Sequence, residues 1–136
     1  VLVYFLMDGY GIDHVNIRIP GDGIEEAVNF YQRVLGFKPM KLEEFQSDER
    51  TSFFFRIGEE AVINIRPKEN FQRPSDRKFG HFCITLEQKI DDVKEILEEN
   101  DVEVLREGNP LGAKGRDPGV YIRDPFGYKI ELKAEK

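Results

Sequence analysis

The chain repeats itself at a fixed offset, and that echo constrains its fold more than any other feature. His14, in Asp-His-Val-Asn-Ile, and His81, in Gly-His-Phe-Cys-Ile, stand 81 − 14 = 67 residues apart. Asn64, in Val-Ile-Asn-Ile, and Glu131, in Lys-Ile-Glu-Leu, stand 131 − 64 = 67 residues apart. A repeat that carries a potential metal ligand at the same place in each copy predicts two similar modules. Pairing them about a two-fold axis would bring four side chains to one centre. Each copy is about half of 136 residues and would bury too little apolar surface to be secure alone, so the copies must share a core.

Hydrophobic periodicity gives each copy the same order of elements. Ile12 to Ile19 alternates as a strand, and Pro20-Gly21-Asp22-Gly23 ends it. Ile24 to Leu35 has helical spacing, acidic residues in its first turn and Gly36 as a stop. Strands are expected at Phe37–Phe45, Thr51–Ile57 and Ala61–Ile65, with Gly58-Glu59-Glu60 as a tight turn. The second copy reads as a strand at Phe79–Leu86, a helix at Ile90–Asn100, and strands at Val102–Arg106, Gly119–Arg123 and Tyr128–Lys133. The expected class is α+β. One domain spans 12–133, with module one at 12–66, a charged linker at 67–78 and module two at 79–133.

In each first strand the apolar residues fall on one face and the polar ones on the other. Val15, Ile17 and Ile19 oppose His14, Asn16 and Arg18; Phe82, Ile84 and Leu86 oppose His81, Cys83 and Thr85. In the last strands Asn64 and Glu131 take the face away from the helices. A sheet face carrying His, Asn, His and Glu implies a concave, partly polar cavity in place of a dry core. His14, His81 and Glu131 are two imidazoles and a carboxylate from three strands, a set that caps one face of an octahedral metal and leaves positions open for two substrate oxygens or for dioxygen. Asn64 shares that polar centre. The glycine-rich stretch Arg106–Gly119 carries Lys114 and Arg116, read as a basic loop beside the site that would meet an anionic substrate. Tyr121 and Arg66 are further pocket candidates. No general base can be named.

Composition excludes several classes. Net charge is −6, from 20 basic and 26 acidic residues, which argues against a general nucleic-acid binder. The single cysteine, Cys83, cannot form an intrachain disulfide, so a reduced, cytoplasmic setting is expected. Cys83 lies in an apolar run and is read as a small buried residue. No run approaches the ~20 apolar residues needed to span a membrane; the apolar start Val1–Met7 is far shorter.

Several segments together resemble the vicinal oxygen chelate superfamily, the glyoxalase / bleomycin-resistance / extradiol-dioxygenase group. They are His14-Val15, Ala27-Val28-Asn29-Phe30-Tyr31 through Leu35-Gly36-Phe37, Gly80-His81-Phe82, and Tyr121-Ile122-Arg123-Asp124-Pro125-Phe126-Gly127-Tyr128-Lys129-Ile130-Glu131-Leu132. The resemblance covers nearly all of 12–133 and looks like that of uncharacterised short members. It implies paired βαβββ modules forming a cupped eight-stranded mixed sheet with helices outside, and commonly a homodimer. It also implies a divalent metal (iron, manganese, nickel or zinc) at residues matching His14, His81 and Glu131. Lactoylglutathione lyases are similar but usually place a second glutamate where this chain has Asn64. An amide does not accept a proton near neutral pH, so that lyase's reaction does not transfer with the resemblance. The expected function is metal-dependent chemistry on a small substrate with neighbouring oxygens: lyase or isomerase, addition, or dioxygenase. The alternative is a non-catalytic, bleomycin-resistance-like dimer that sequesters a small molecule.

Overall fold

A computed structural model describes residues 7–136; the apolar start, residues 1–6, lies outside it. The first module contains β1 (His14–Pro20), α1 (Ile24–Ala27) running on into a wider π-type helical segment (Val28–Val34), β2 (Lys38–Met40), α2 (Leu42–Gln46), β3 (Phe53–Ile57) and β4 (Ala61–Lys68). The second contains β5 (Phe82–Lys89), α3 (Ile90–Glu99), β6 (Arg106–Gly108), a small ribbon of β7 (Leu111–Gly112) and β8 (Gly115–Arg116), then β9 (Gly119–Arg123) and β10 (Lys129–Glu135). The eight main strands form two four-stranded mixed sheets, ordered β1-β4-β3-β2 and β5-β10-β9-β6. In each, the first and last strands of the module pair in parallel and the inner partners antiparallel.

The 67-residue offset survives in the register. Asn16 pairs with Asn64, and Asn64 with Phe54. Adding 67 gives Cys83, Glu131 and Tyr121, and these pair in the same way. Three strands therefore repeat residue for residue. The fourth does not: Met40 faces Phe54, but Arg106, not residue 107, faces Tyr121.

The outer strands are also where the expected elements fail. The run expected as a strand over Phe37–Phe45 pairs only at Lys38–Met40. The chain then turns through Lys41, at φ +63°, into α2. Leu42 and Phe45 are three apart and both pack on the core, while Glu43 is exposed; that spacing suits a helical turn better than a strand. Val102–Leu105 packs Val102 and Val104 inward but pairs only from Leu105, whose N–H meets the Tyr121 carbonyl at 2.7 Å. β4 runs to Lys68, into what reads as linker.

The core is common to both modules. Ile17, Ile19, Phe53, Phe55, Ile63 and Ile65 from one sheet and Ile84, Val120, Ile122, Ile130 and Leu132 from the other belong to one cluster. The first helix bridges them. Its adjacent residues Phe30 and Tyr31 are both buried, and the wide turns between Val28 and Val34 allow two successive side chains to point inward. The Tyr31 hydroxyl donates to Asp124 Oδ2 at 2.6 Å. Asp124 Oδ1 accepts from the N–H groups of Phe126 and Tyr128, so one buried carboxylate ties the helix to the turn that starts β10. Burial raises the Asp124 pKa against the opposing hydrogen bonds from Tyr31 and the turn's backbone. Gly36, at φ +83°, ends the helix, with the Phe37 N–H bonded to the Tyr31 carbonyl at 2.8 Å.

β1 is an edge strand, and Tyr128 caps its free side. The Arg18 N–H donates to the Tyr128 hydroxyl at 3.1 Å, and that hydroxyl donates to the Arg18 carbonyl at 2.6 Å. Replacing Tyr128 by Phe removes both bonds and leaves two strand groups unpaired. Urea denaturation should show a loss of about 1–3 kcal/mol; an unchanged midpoint would mean water replaces the hydroxyl.

Candidate metal centre

The polar faces of the two sheets carry the candidate residues in two separate groups. On module two, His81 Nε2 lies 3.2 Å from Glu131 Oε1. Glu131 is 6% exposed. The Cys83 thiol donates to Glu131 Oε2 at 3.2 Å, and Tyr121 is the cross-strand partner of Glu131, its hydroxyl favouring the ionised carboxylate. Tyr121 in turn meets the His81 ring edge-on, centroids 5.2 Å apart, and carries the Arg106 guanidinium 4.6 Å over its own ring. Burial pushes the Glu131 carboxyl upward, but Tyr121, Cys83 and His81 together outweigh it and hold the group below the ordinary Glu range. Glu131 is thus kept as an anion beside an imidazole.

On module one, His14 Nδ1 lies 2.7 Å from Asp13 Oδ2, which leaves Nε2 uncommitted. A carboxylate on the far nitrogen is how metal-binding imidazoles are commonly oriented. His14 and Asn64 line a cavity of about 510 Å³ together with Asp13, Arg50, Phe54 and Arg56. Neither His81 nor Glu131 contributes to it. Asn64 Oδ1 is buried with no hydrogen-bond partner, an orphaned acceptor on a residue that lines the same cavity as His14.

The structure therefore brings His81 and Glu131 together and leaves His14 and Asn64 on the other sheet. Among the described residues, no group of three His, Cys, Asp or Glu side chains could hold a metal within one chain. Each half by itself suits an ion. Two donors bonded near right angles to one ion at ~2.1 Å stand about 3 Å apart, which matches the His81–Glu131 separation. Both imidazoles remain open, their side chains 51% and 38% exposed.

The remaining sequence candidates lie at different distances from this chemistry. Tyr121 is at its heart, as a partner of Glu131. Arg116 sits in the β7–β8 ribbon and spends a donor on the Asn109 carbonyl at 2.9 Å. Lys114 is exposed at the ribbon's tip. Arg66 bonds Thr51. Cys83 corrects an expectation. It is an exposed residue, not a buried one, and its thiol engages Glu131. Sequence alternation does put Cys83 on the polar face, but the apolar run around it pointed the other way. The roles of Asp13 and Arg106 carried no sequence signal, and the burial of Lys133 is found only in three dimensions.

Although Cys83 as a whole is exposed, its sulfur is partly shielded against Glu131, and that desolvation, with the bond to Glu131 and its charge, pushes the thiol from 9.0 up to about 12. Three pKa units cut the thiolate fraction at pH 8 about a thousandfold, while the higher intrinsic nucleophilicity returns about 1.4 decades. In metal-free protein, iodoacetamide should alkylate Cys83 roughly thirtyfold more slowly than a free cysteine. Alkylation at the free-thiol rate would show that the sulfur is not engaged by Glu131.

Known proteins share this architecture. The chain is 29% identical over 127 residues to the lactoylglutathione lyase of Escherichia coli O157:H7, covering 90% of this chain and 91% of that protein. It is 32% identical to a Bacillus anthracis protein assigned to the glyoxalase family, with a TM-score of 0.73, covering 96% of this chain and all (100%) of that one. The fosfomycin resistance protein of Listeria monocytogenes, at 17% identity, shares the fold at a TM-score of 0.62, over 95% of this chain and 96% of that one. Residues 11–132 match the Glyoxalase/Bleomycin resistance protein/Dioxygenase superfamily, and the chain belongs to it.

Proposed function

We propose that this protein is a homodimeric, metal-dependent enzyme of the glyoxalase type, and that each site is built from two subunits. His14 of one chain would meet His81 and Glu131 of the other around a single divalent ion. One observation carries this reading. The repeat places His14 and His81 at equivalent positions, yet among the described residues only the His81–Glu131 pair is assembled within a chain, and both imidazoles stay exposed. A second copy supplies the missing half of each.

A divalent ion bound there would supply Lewis-acid polarisation of two neighbouring substrate oxygens. The chain's own groups do the rest. Asp13 orients the His14 ring. Tyr121, Cys83 and His81 keep Glu131 ionised and fixed in direction. Asn64, with its free Oδ1, offers a hydrogen-bond acceptor to a substrate hydroxyl or to water but cannot take a proton. That separates this site from one that shuttles protons through a second carboxylate, so the lyase reaction of the Escherichia coli relative is not assigned. Lys114 and Arg116 stand as substrate-binding candidates on the ribbon.

Metal analysis of protein purified without chelator, together with its mass in solution, tests the reading. A dimer holding close to one divalent ion per chain is expected. A folded dimer without metal that binds a small molecule would support the sequestering, bleomycin-resistance-like alternative. Among the described residues no helix is long and apolar enough to cross a membrane.

A further inference from the structure

Lys133 is a buried charge that the reading above leaves unused. It lies on β10 two residues beyond Glu131, so strand alternation puts both side chains on one face with their Cα atoms about 7 Å apart. Its side chain is 8% exposed. The β7–β8 ribbon passes over it, so closely that a Cβ on Gly112 would lie 2.5 Å from its Nζ and make the lysine tip shift. The ammonium has three donors. Among the described residues it has one acceptor at hydrogen-bond distance, the Gly115 carbonyl at 3.1 Å. The Asp117 carboxylate, at 3.8 Å, is too far for a hydrogen bond. An ammonium shut away with donors to spare is costly, and a methionine would fill the same space without that penalty. Cys83, bonded to Glu131, lies on the strand that pairs alongside β10, so Lys133 borders the same half-site.

Resting on the metal reading of the previous section, we propose that Lys133 is the anion receptor of this site. It takes a second acidic group on a substrate whose neighbouring oxygens would meet a divalent ion held by His14, His81 and Glu131. The short Glu131–Lys133 spacing sets the substrate class: a small 2-hydroxy or 2-oxo acid with a further carboxylate two or three bonds beyond the chelating pair. Neutral dicarbonyls and monoacids leave the Lys133 donors unfilled.

The test uses malate and 2-hydroxybutanoate, matched four-carbon acids that differ in the second carboxylate. They are titrated calorimetrically into protein carrying its own metal, or nickel(II) if it purifies without one. Wild type should bind malate at least about tenfold more tightly, the range of one charge-assisted hydrogen bond. Lys133→Met should bring that ratio near one while leaving metal stoichiometry and 2-hydroxybutanoate affinity unchanged, and Lys133→Arg should keep part of it. Equal affinities in wild type, or a preference that survives in Lys133→Met, overturns the proposal. So does a Lys133→Met protein whose only change is faster amide exchange in Leu111–Arg116, which would make Lys133 a fastener for the ribbon. Failure to take up any metal overturns the metal reading instead. The malate preference is then read on metal-free protein, where Lys133→Met must still abolish it for Lys133 to be the receptor.

Discussion

Asp124→Ala is expected to lower the unfolding free energy by about 3–5 kcal/mol, a large share of the roughly 5–15 kcal/mol that holds an ordinary domain folded. The side chain is 3% exposed, and both its oxygens are used. Alanine would strand the Tyr31 hydroxyl and the N–H groups of Phe126 and Tyr128, each costing about 1–3 kcal/mol when left dry. It would also release the first helix from the start of β10. Asp124→Asn has nearly the same shape and keeps an acceptor for the two N–H groups, so it should cost no more than about 1 kcal/mol. The pH dependence separates charge from shape. Burial raises the folded-state pKa of Asp124, so its contribution is fully present below the unfolded carboxyl pKa and is lost as pH rises through the folded value. Wild type should therefore gain on Asp124→Asn as the solution is acidified from neutrality. Urea denaturation at several pH values reads both effects. A loss under 1 kcal/mol in Asp124→Ala would show that Asp124 does not hold the modules together.

His14→Ala and Glu131→Ala should each abolish metal binding, lowering affinity by a hundredfold or more, on the order of 3 kcal/mol or above. Mixing the two inactive proteins under conditions that exchange subunits should restore part of it. A mixed dimer has one site with both defects and one site with none, because the intact His14 comes from one chain and the intact His81–Glu131 pair from the other. Equal mixing with random pairing makes half of the dimers mixed, so about a quarter of the sites should return. A site formed inside one chain returns none. Metal content of the re-isolated mixture reads the result directly. No recovery, with exchange confirmed by mass, rules out the cross-subunit arrangement.

The repeat and its inner strands were readable from sequence because they are written in local pattern. Alternation assigned Ile17, Ile63, Ile84 and Leu132 to the core face and His14, Asn64, His81 and Glu131 to the other, and the shared register follows from the common offset. The outer strands were not readable, because Leu42-Glu43-Glu44-Phe45 has no strong alternation and side-chain contacts decide between a strand and a helical turn. Nor could periodicity tell which polar face meets which. It assigns a residue to a side of its sheet but says nothing of how two sheets are placed. The separation of His14 from the His81–Glu131 pair is a tertiary fact of that kind. Lys133 is another: its face was predictable, but its burial depends on a glycine ribbon folding back over it.

The copies have also diverged where they matter. Asn16, Asn64 and Phe54 occupy the positions that Cys83, Glu131 and Tyr121 occupy in the second copy. Identical halves would offer a guest the same surroundings in either direction. In the proposed dimer one wall would present amides and a benzene ring, and the other a carboxylate, a thiol and a phenol. A molecule lodged between them and the same molecule turned end for end would form two different complexes, so the drift between the copies gives a near-symmetric scaffold a means of telling left from right.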